Sequence, residues 1–434
     1  MKKILFFWSE LTSTFWFIPV FIIIISLFFA FGLLYWDSRV TIEPEGIYQY
    51  LLTSSPDSAR SILTTVSGAM IGVAGTVFSI TLVALTLASS QFGPRLIKNF
   101  MYDRLNQVVL GAYISTFMYC MVVLSAMKES DKTTFIPSIS IFFVVIVTLG
   151  NIILLIFFIH HISSSIQADK IIADVSDTLS KTIKTQFPSR MGKGLESEAP
   201  DFSDIKTRYT VQMGLKCNRG GYLQYVDSEA LMKLAVNENV LLELHFRPGK
   251  FLVEGQELVS ISSLTNISQE LMKKIQSHFI FGKTRTPQQD VEHSIYQMVE
   301  IASRALSPGI NDPFTAIACI DNLSSNMAAL TKVEFPSKYR LDKEGQLRVI
   351  TDTFSFAGLM DAAFNQIRQF SAANPSVAIR LMDGLVTIQQ FSEKEEHRKE
   401  VKKHGQMILD AAKAKFLEDR DFQDLKMRFK TLEK

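Results

Sequence analysis

The chain has 434 residues, room for two or three domains at roughly 150 residues each. Its 45 Lys and Arg stand against 43 Asp and Glu, a formal charge of +2, which excludes a protein that holds nucleic acid by bulk electrostatic attraction. Cys120, Cys217 and Cys319 are isolated; they supply neither a disulfide framework nor a zinc spacing and fit a reducing compartment.

Residues 15–36, 61–94, 105–127 and 133–159 contain no Asp, Glu, Lys or Arg. About 20 apolar residues cross a hydrocarbon core of roughly 30 Å, so these runs predict transmembrane helices at about 15–36, 61–91, 106–127 and 135–159. The first run is too long for a signal peptide and no small-residue cleavage pattern follows it, so it is expected to be retained. Basic residues mark the cytoplasmic side. Lys2 and Lys3 precede the first span and Arg95, Lys98 and Arg104 follow the second, whereas Asp37, Glu43, Glu45 and Asp57 outweigh Arg39 and Arg60 between them. The expected topology is multi-pass in a bacterial inner membrane, with a transmembrane domain over 1–165, both termini cytoplasmic and the remainder in the cytosol.

The second run, 34 residues long, measures about 51 Å as a continuous helix and must tilt or project beyond the bilayer. Gly68, Gly72, Gly75, Ser79, Thr86 and Ser90 recur along it at helical spacing, interrupted near Leu82 and Val83. That stripe admits three readings: close helix packing of the small-xxx-small kind, a water-filled path where several copies converge, or a substrate cavity inside the bundle. Gly93 and Pro94 end the run as a candidate hinge, because proline removes a backbone donor and glycine tolerates a sharp turn. Beyond it Leu96, Phe100, Met101 and Leu105 alternate with Lys98, Asn99, Asp103 and Arg104 as in a short interfacial helix.

After the fourth run, His160 and His161 point in different directions on a helix and suit interfacial anchoring better than a metal. Ile171, Ile172, Val175 and Leu179 predict a helix in the connector 166–203, whose stretch 188–200, rich in Ser, Gly and Lys, reads as a linker. Residues 204–265 read as a β-rich module, with strands around 240–246, 251–253 and 258–261 separated by the Arg247-Pro248-Gly249 and Glu254-Gly255 turns. The hairpin pattern is similar to lipoyl-type barrel-sandwich modules, without a modifiable lysine at a matching tip. Residues 266–434 read as helical. Thr286, Pro287 and Gln289 predict a capping box opening a helix to about Leu306, Asn311-Asp312-Pro313 opens the next, and further helices are expected over 346–373, 375–393 and 399–416. The expected fold is thus four transmembrane helices followed by an α+β region, a small β module plus a helical bundle.

Little in the chain points to catalysis. Arg285, Asp290, Glu292, His293 and Glu300 gather on and near one predicted helix, an arrangement explained by capping and salt bridges but also open to a polar site. Asn311 and Asp312 beside a helix start extend this into a candidate polar or anion site, Arg285, His293, Asn311 and Asp312. Walker A, dinucleotide-binding and Gly-x-Ser-x-Gly patterns are absent. No enzyme activity, cofactor, metal or nucleic-acid partner is expected.

The strings Gly72-Val73-Ala74-Gly75-Thr76-Val77-Phe78-Ser79, Ala88-Ser89-Ser90-Gln91-Phe92-Gly93-Pro94-Arg95 and Asn106-Gln107-Val108-Val109-Leu110-Gly111, with Arg285-Thr286-Pro287-Gln288-Gln289-Asp290 and Ser307-Pro308-Gly309-Ile310-Asn311-Asp312-Pro313-Phe314, resemble a bacterial family of predicted membrane proteins labelled domain of unknown function 2254. The resemblance, which takes in Gly221-Tyr222-Leu223-Gln224 and Arg247-Pro248-Gly249, implies an inner-membrane protein with about four spans and a cytosolic domain, and it brings no site residues. The functional expectation is an oligomeric membrane protein that serves as an ion or small-solute channel, with the second span near its axis. The alternative is a non-conducting scaffold or signalling protein whose cytosolic part binds a partner.

Overall fold

The computed structural model describes residues 12, 14–40, 55–94, 103–130, 133–187 and 209–433 and divides into two compact units, 1–167 and 168–434. The interfacial segment expected from 96 and the linker at 188–200 fall outside the described residues.

The first unit is built on helices α1 (Phe17–Asp37), α2 (Pro56–Phe92), α3 (Arg104–Ala126) and α4 (Ser138–Ser165), each long and apolar enough to cross a membrane. A short antiparallel hairpin, β1 (Lys128–Ser130) with β2 (Thr133–Phe135), joins α3 to α4. Proline starts α2, where its missing donor costs nothing, and 37 residues carry it about 55 Å. The helices α1, α2 and α4 all pack on α3.

Two carboxylates tie the ends of this bundle together. Asp37, the last residue of α1, accepts from the backbone N–H groups of Ile139 and Ser140, both at 3.0 Å, and from the Ser140 hydroxyl at 2.6 Å. It therefore caps α4, whose first-turn donors have no partner within their own helix. Asp103 accepts from the Leu105 N–H at the start of α3 while its other oxygen meets the His161 ring near the end of α4. Halfway along the bundle Asn151 donates to the Thr116 hydroxyl at 2.9 Å and faces the Met70 sulfur, and Tyr113 donates to the Asn151 carbonyl at 2.6 Å. This buried knot links α2, α3 and α4, as expected where hydrocarbon offers polar groups no other partner.

The second unit opens with α5 (Ala168–Gln186). There follow β3 (Val211–Lys216), β4 (Gly221–Val226), α6 (Ser228–Asn237), β5 (Leu241–Leu244), β6 (Phe251–Leu252), β7 (Glu257–Ser263), α7 (Gln269–Gln276) and β8 (Phe279–Gly282). A helical part continues with α8 (Val291–Ala305) and α9 (Pro313–Leu330), is broken by β9 (Tyr339–Leu341) and β10 (Leu347–Thr351), and ends with α10 (Phe356–Ser371), α11 (Pro375–Phe391), α12 (Glu395–Lys413) and α13 (Asp419–Leu432). The strands form a five-stranded sheet, β3-β7-β5-β10-β9, and a three-stranded sheet, β6-β4-β8. Leu223, Leu242, Leu252, Leu258 and Ile261 belong to the one core these sheets share.

Two local expectations change. Residues 347–351 do not begin a helix: β10 lies parallel to β5, with Val349 opposite Leu242 and Thr351 opposite Leu244. The Arg348 guanidinium is held by Asp342, Asn239 and Gln346, so the apolar neighbours Leu347 and Val349 are free to enter the sheet's core. The capping box at 286–289 does not form either, and α8 starts only at Val291. The Gln289 amide is spent on strand β4, accepting from the Val226 N–H at 2.9 Å and donating to its carbonyl at 3.2 Å.

In the helical part, Asp312 caps α9 and Asn374 caps α11, with a proline following each. His404 of α12 is fully buried beside Phe364, and burial lowers the affinity of its imidazole for a proton, offset only in part by Asp361 and Glu400 and reinforced by Lys403 and Arg368. His397, stacked on Phe356, is shifted the same way by burial and Lys394. Below the ordinary imidazole value of about 6.5 the unfolded chain takes up protons that these folded sites refuse, so stability falls as the pH drops. Thermal melts run from about pH 7 to about pH 5.5 are expected to show a falling Tm, and His404→Phe to flatten that slope; an unchanged slope in the variant would exclude His404 as its source.

Candidate functional site

Helix α2 carries two opposed faces. Ala59, Leu63, Met70, Ala74, Val77, Ala84 and Ala88 are buried against the rest of the first unit. At about 100° per residue, Gly68, Gly72, Gly75, Ser79, Thr86 and Ser90 point the other way, and all six are exposed. A methyl group added at Gly68, Gly72 or Gly75 would meet no atom of the described chain within 4 Å. The hydroxyls turn back onto their own helix: Ser79 donates to the Gly75 carbonyl at 2.9 Å, Thr86 to Leu82 at 2.9 Å and Ser90 to Leu87 at 2.9 Å. Thr76 on the same flank does the same toward Gly72. The hydroxyls thus stay on their own helix, the three glycines meet no other part of the described chain, and exposed Leu82 and Val83 interrupt the stripe.

The glycine that mediates close packing inside the bundle is another one. A methyl group on Gly111 of α3 would come within 3.0 Å of the Pro19 Cα and of Ile22 in α1. Close approach of backbones through a small residue thus occurs between α1 and α3, and the stripe of α2 has no such counterpart.

The stripe ends at the candidate hinge. Gly93 closes α2 with φ 111°, a conformation that side-chain-bearing residues rarely adopt, while its N–H still donates to the Ser89 carbonyl at 3.2 Å; Pro94 follows.

The residues of the expected polar site separate into two places. Arg285 lies before α8 and grips Asp290 with two hydrogen bonds, 2.6 Å from Nε and 2.8 Å from Nη2, with Glu292 at 3.4 Å. Arg247 bonds the other oxygen of Glu292 at 2.5 Å and Asp352 at 2.7 Å. Two guanidiniums thus serve three carboxylates, with the Arg285 charge over the Tyr296 ring and that of Arg247 over Phe354. Burial raises the Asp290 pKa against the pull of Arg285. For Arg285 burial works to weaken its charge, and Asp290 and Glu292 more than reverse this, so its pKa rises. A cation so fully engaged has little left for a bound anion; the arrangement is a structural clasp joining residues 247, 285–292 and 352. His293 sits half-buried on the first turn of α8.

Asn311 and Asp312 lie past the far end of α8, whose 15 residues span about 22 Å. Asn311 has φ 50°, and Asp312 accepts from the N–H groups of Phe314 and Thr315, both at 3.1 Å, which occupies the donors an anion would need. Among the described residues no three His, Cys, Asp or Glu side chains gather as a metal site.

The family model described as "Predicted membrane protein (DUF2254)" matches residues 12–387. The chain belongs to this family. Uncharacterized proteins of Mycobacterium bovis and Mycobacterium tuberculosis are each 30% identical over 380 residues, covering 86% of this chain and 72% of theirs. No solved structure matches the chain. The family match takes in the α2 stripe and the clasp and stops within α11, so α12 and α13 lie beyond it.

Within the family region the clasp explains two separated strings at once. Gly249 has φ 96°, and a methyl group there would overlap the Asp290 carboxylate. A methyl group on Gly282 would likewise strike the Gln224 amide, which donates to the Thr284 carbonyl at 2.6 Å. Arg247-Pro248-Gly249 and Arg285 through Asp290 thus fold onto one another. Sequence reading missed Arg247, Asp352 and the Asn151 knot, because their partners lie 35 to 105 positions away. Removing one partner of a buried ion pair costs about 3–5 kcal/mol, so Asp290→Ala is expected to lower stability by that order. Gly249→Ala should cost more than about 1 kcal/mol. Denaturant titration of the full chain in detergent measures both, and a loss below about 1 kcal/mol for Asp290→Ala would show that the clasp contributes little.

Proposed function

We propose that this membrane protein assembles from several copies that meet through the outward stripe of α2, and that the assembly provides a path for ions or small solutes along its axis. The observation carrying this reading is the opposition of faces on α2: Leu63, Met70 and Val77 are buried within the chain, whereas Gly68, Gly72 and Gly75 look outward, with no atom of the described chain within 4 Å of an added methyl group. Facing lipid, such a face wastes contact area; facing other copies, it permits near contact of backbones. The length of α2 and its break at Gly93 and Pro94 suit a helix that reaches past the bilayer and bends at the membrane surface.

In this reading the membrane is the bacterial inner membrane, both termini are cytoplasmic by the placement of Lys and Arg, and the protein is not an enzyme. Its sheet region serves as a small barrel-like module and, with the helical bundle, as a cytosolic vestibule. The hydroxyls of Ser79, Thr86 and Ser90, turned onto their own helix, also support a second reading, a dry helix contact in a non-conducting scaffold or signalling protein whose cytosolic part binds a partner.

Planar-bilayer recording of the purified protein separates the two. A conductance is expected across a range of salts, voltages and tensions, and silence under all of them favours the scaffold. Gly72→Leu is expected to reduce subunit number or conductance more than the same change at Gly32, which is exposed on α1. Unchanged oligomer size and conductance in Gly72→Leu would remove the stripe from the account.

A further inference from the structure

The turn between α8 and α9 exposes apolar side chains on a corner that its own hydrogen bonds hold rigid. Phe314 is 80% exposed and Ile310 43%, with Pro308 and Gly309 also exposed between them and α8. The corner is not loose. The N–H groups of Ile310 and Asn311 donate to the Ser307 carbonyl at 3.0 and 2.9 Å, and that of Asp312 to the Ala305 carbonyl at 2.8 Å. Asp312 then caps α9 through Phe314 and Thr315. Rotation about backbone bonds cannot bury the Phe314 ring and the Ile310 sec-butyl group in the unit's own core without breaking these bonds, so the water exposure is built in.

The position of this corner along α5 supplies the occupant. Both helices it joins pack on α5. At the far end of α5, Gln186 donates to the Gln288 carbonyl just before α8, at 2.9 Å, so α8 runs back along α5 toward Ala168. Independently, Phe187 packs at a tilt against Phe335, just past α9, with ring centroids 5.0 Å apart, and Asn326 of α9 donates to the Ser176 hydroxyl of α5 at 2.9 Å. Helix α9 therefore runs alongside α5 in the same direction. The lengths agree: α5 has 19 residues, α8 15 and α9 18, about 28, 22 and 27 Å. The corner lies level with the first turn of α5. In the chain only Ile166 and Gln167 separate that turn from Ser165, the last residue of α4.

We infer that the Ile310 and Phe314 corner dips into the lipid headgroup region on the side of the bilayer where α4 ends. Aromatic and aliphatic side chains at that depth leave water without entering the hydrocarbon fully, and a rigid apolar tip held beside the start of α5, which itself begins two residues beyond a membrane helix, meets that surface at high effective concentration. The inference is independent of the proposed pore and holds for a single copy as for an assembly.

The test uses the full chain in lipid nanodiscs with a fluorophore attached at Phe314→Cys, Ile310→Cys or Leu417→Cys. The last position is fully exposed, in the turn between α12 and α13. Cys120, Cys217 and Cys319 are buried, so the introduced thiol is the one that reacts. At 314 and 310 the label is expected to be quenched by nitroxide-bearing lipids and to show a several-fold smaller iodide quenching constant than at 417. Free iodide access with no lipid quenching at both corner positions would overturn the inference. Protection from both quenchers would overturn it as well, by assigning the corner to a contact with another copy. Because Phe314 is so exposed, its replacement leaves the packing intact, and a matching melting temperature for labelled and unlabelled protein verifies that.

Discussion

Between helices in hydrocarbon, packing is decided by how near two backbones can come, because burying a leucine against a neighbour gains little over burying it in lipid. Among the described residues that constraint is met where Gly111 lets α3 approach α1 at Pro19. It is left unmet along α2, whose glycines and short hydroxylated residues look away from their own chain. The buried polar groups obey the companion rule that hydrocarbon tolerates no idle hydrogen-bonding group. Asp37 caps α4, Asp103 serves α3 and His161, and Asn151 is shared among three helices. These groups are satisfied within the bundle, whereas the Asn106 Oδ1 of α3 is buried without a hydrogen bond, and the glycines of the α2 stripe meet no other part of the described chain.

The second unit is organised by a different device. Its arginine clasp draws residues 247, 285–292 and 352 together, and such a network is costly to leave half-made. Arg285 and Arg247 are occupied by Asp290, Glu292 and Asp352, which makes them a framework for the junction of sheet and helices. Asn311 and Asp312, a helix length away, build a corner. The polar residues that looked like one site in the sequence are two structural joints.

How much of this could be read from the sequence depended on how local the cause was. The four apolar helices were legible because a charge-free run of sufficient length has few alternatives, and the starts of α9 and α11 were legible because Asp312-Pro313 and Asn374-Pro375 act within one turn. The stripe was visible as a period in the residues, but its outward orientation was not, since it depends on Ala74, Val77 and Ala84 meeting α3 and α4. Strand β10 was hidden because its parallel partner β5 lies about a hundred positions earlier and Arg348 interrupts the apolar pattern only until Asp342 and Asn239 are seen to hold it. The failed capping box at 286–289 has the same origin: Gln289 has the right spacing for a cap, yet strand β4, more than sixty positions away, takes its amide. Helix α13 went unanticipated because Leu425, Phe429 and Leu432 are a thin apolar set whose neighbours lie on α11 and, Gly405 among them, on α12.

The most direct test of the central idea is oxidative cross-linking in native membranes of chains carrying Gly72→Cys, with Phe28→Cys on the outer surface of α1 as the comparison. Native thiols are buried and do not compete. Copies that meet through α2 give a covalent dimer at position 72 and none at position 28. A monomer band at 72 under conditions that cross-link position 28 would place the stripe against lipid and contradict the account.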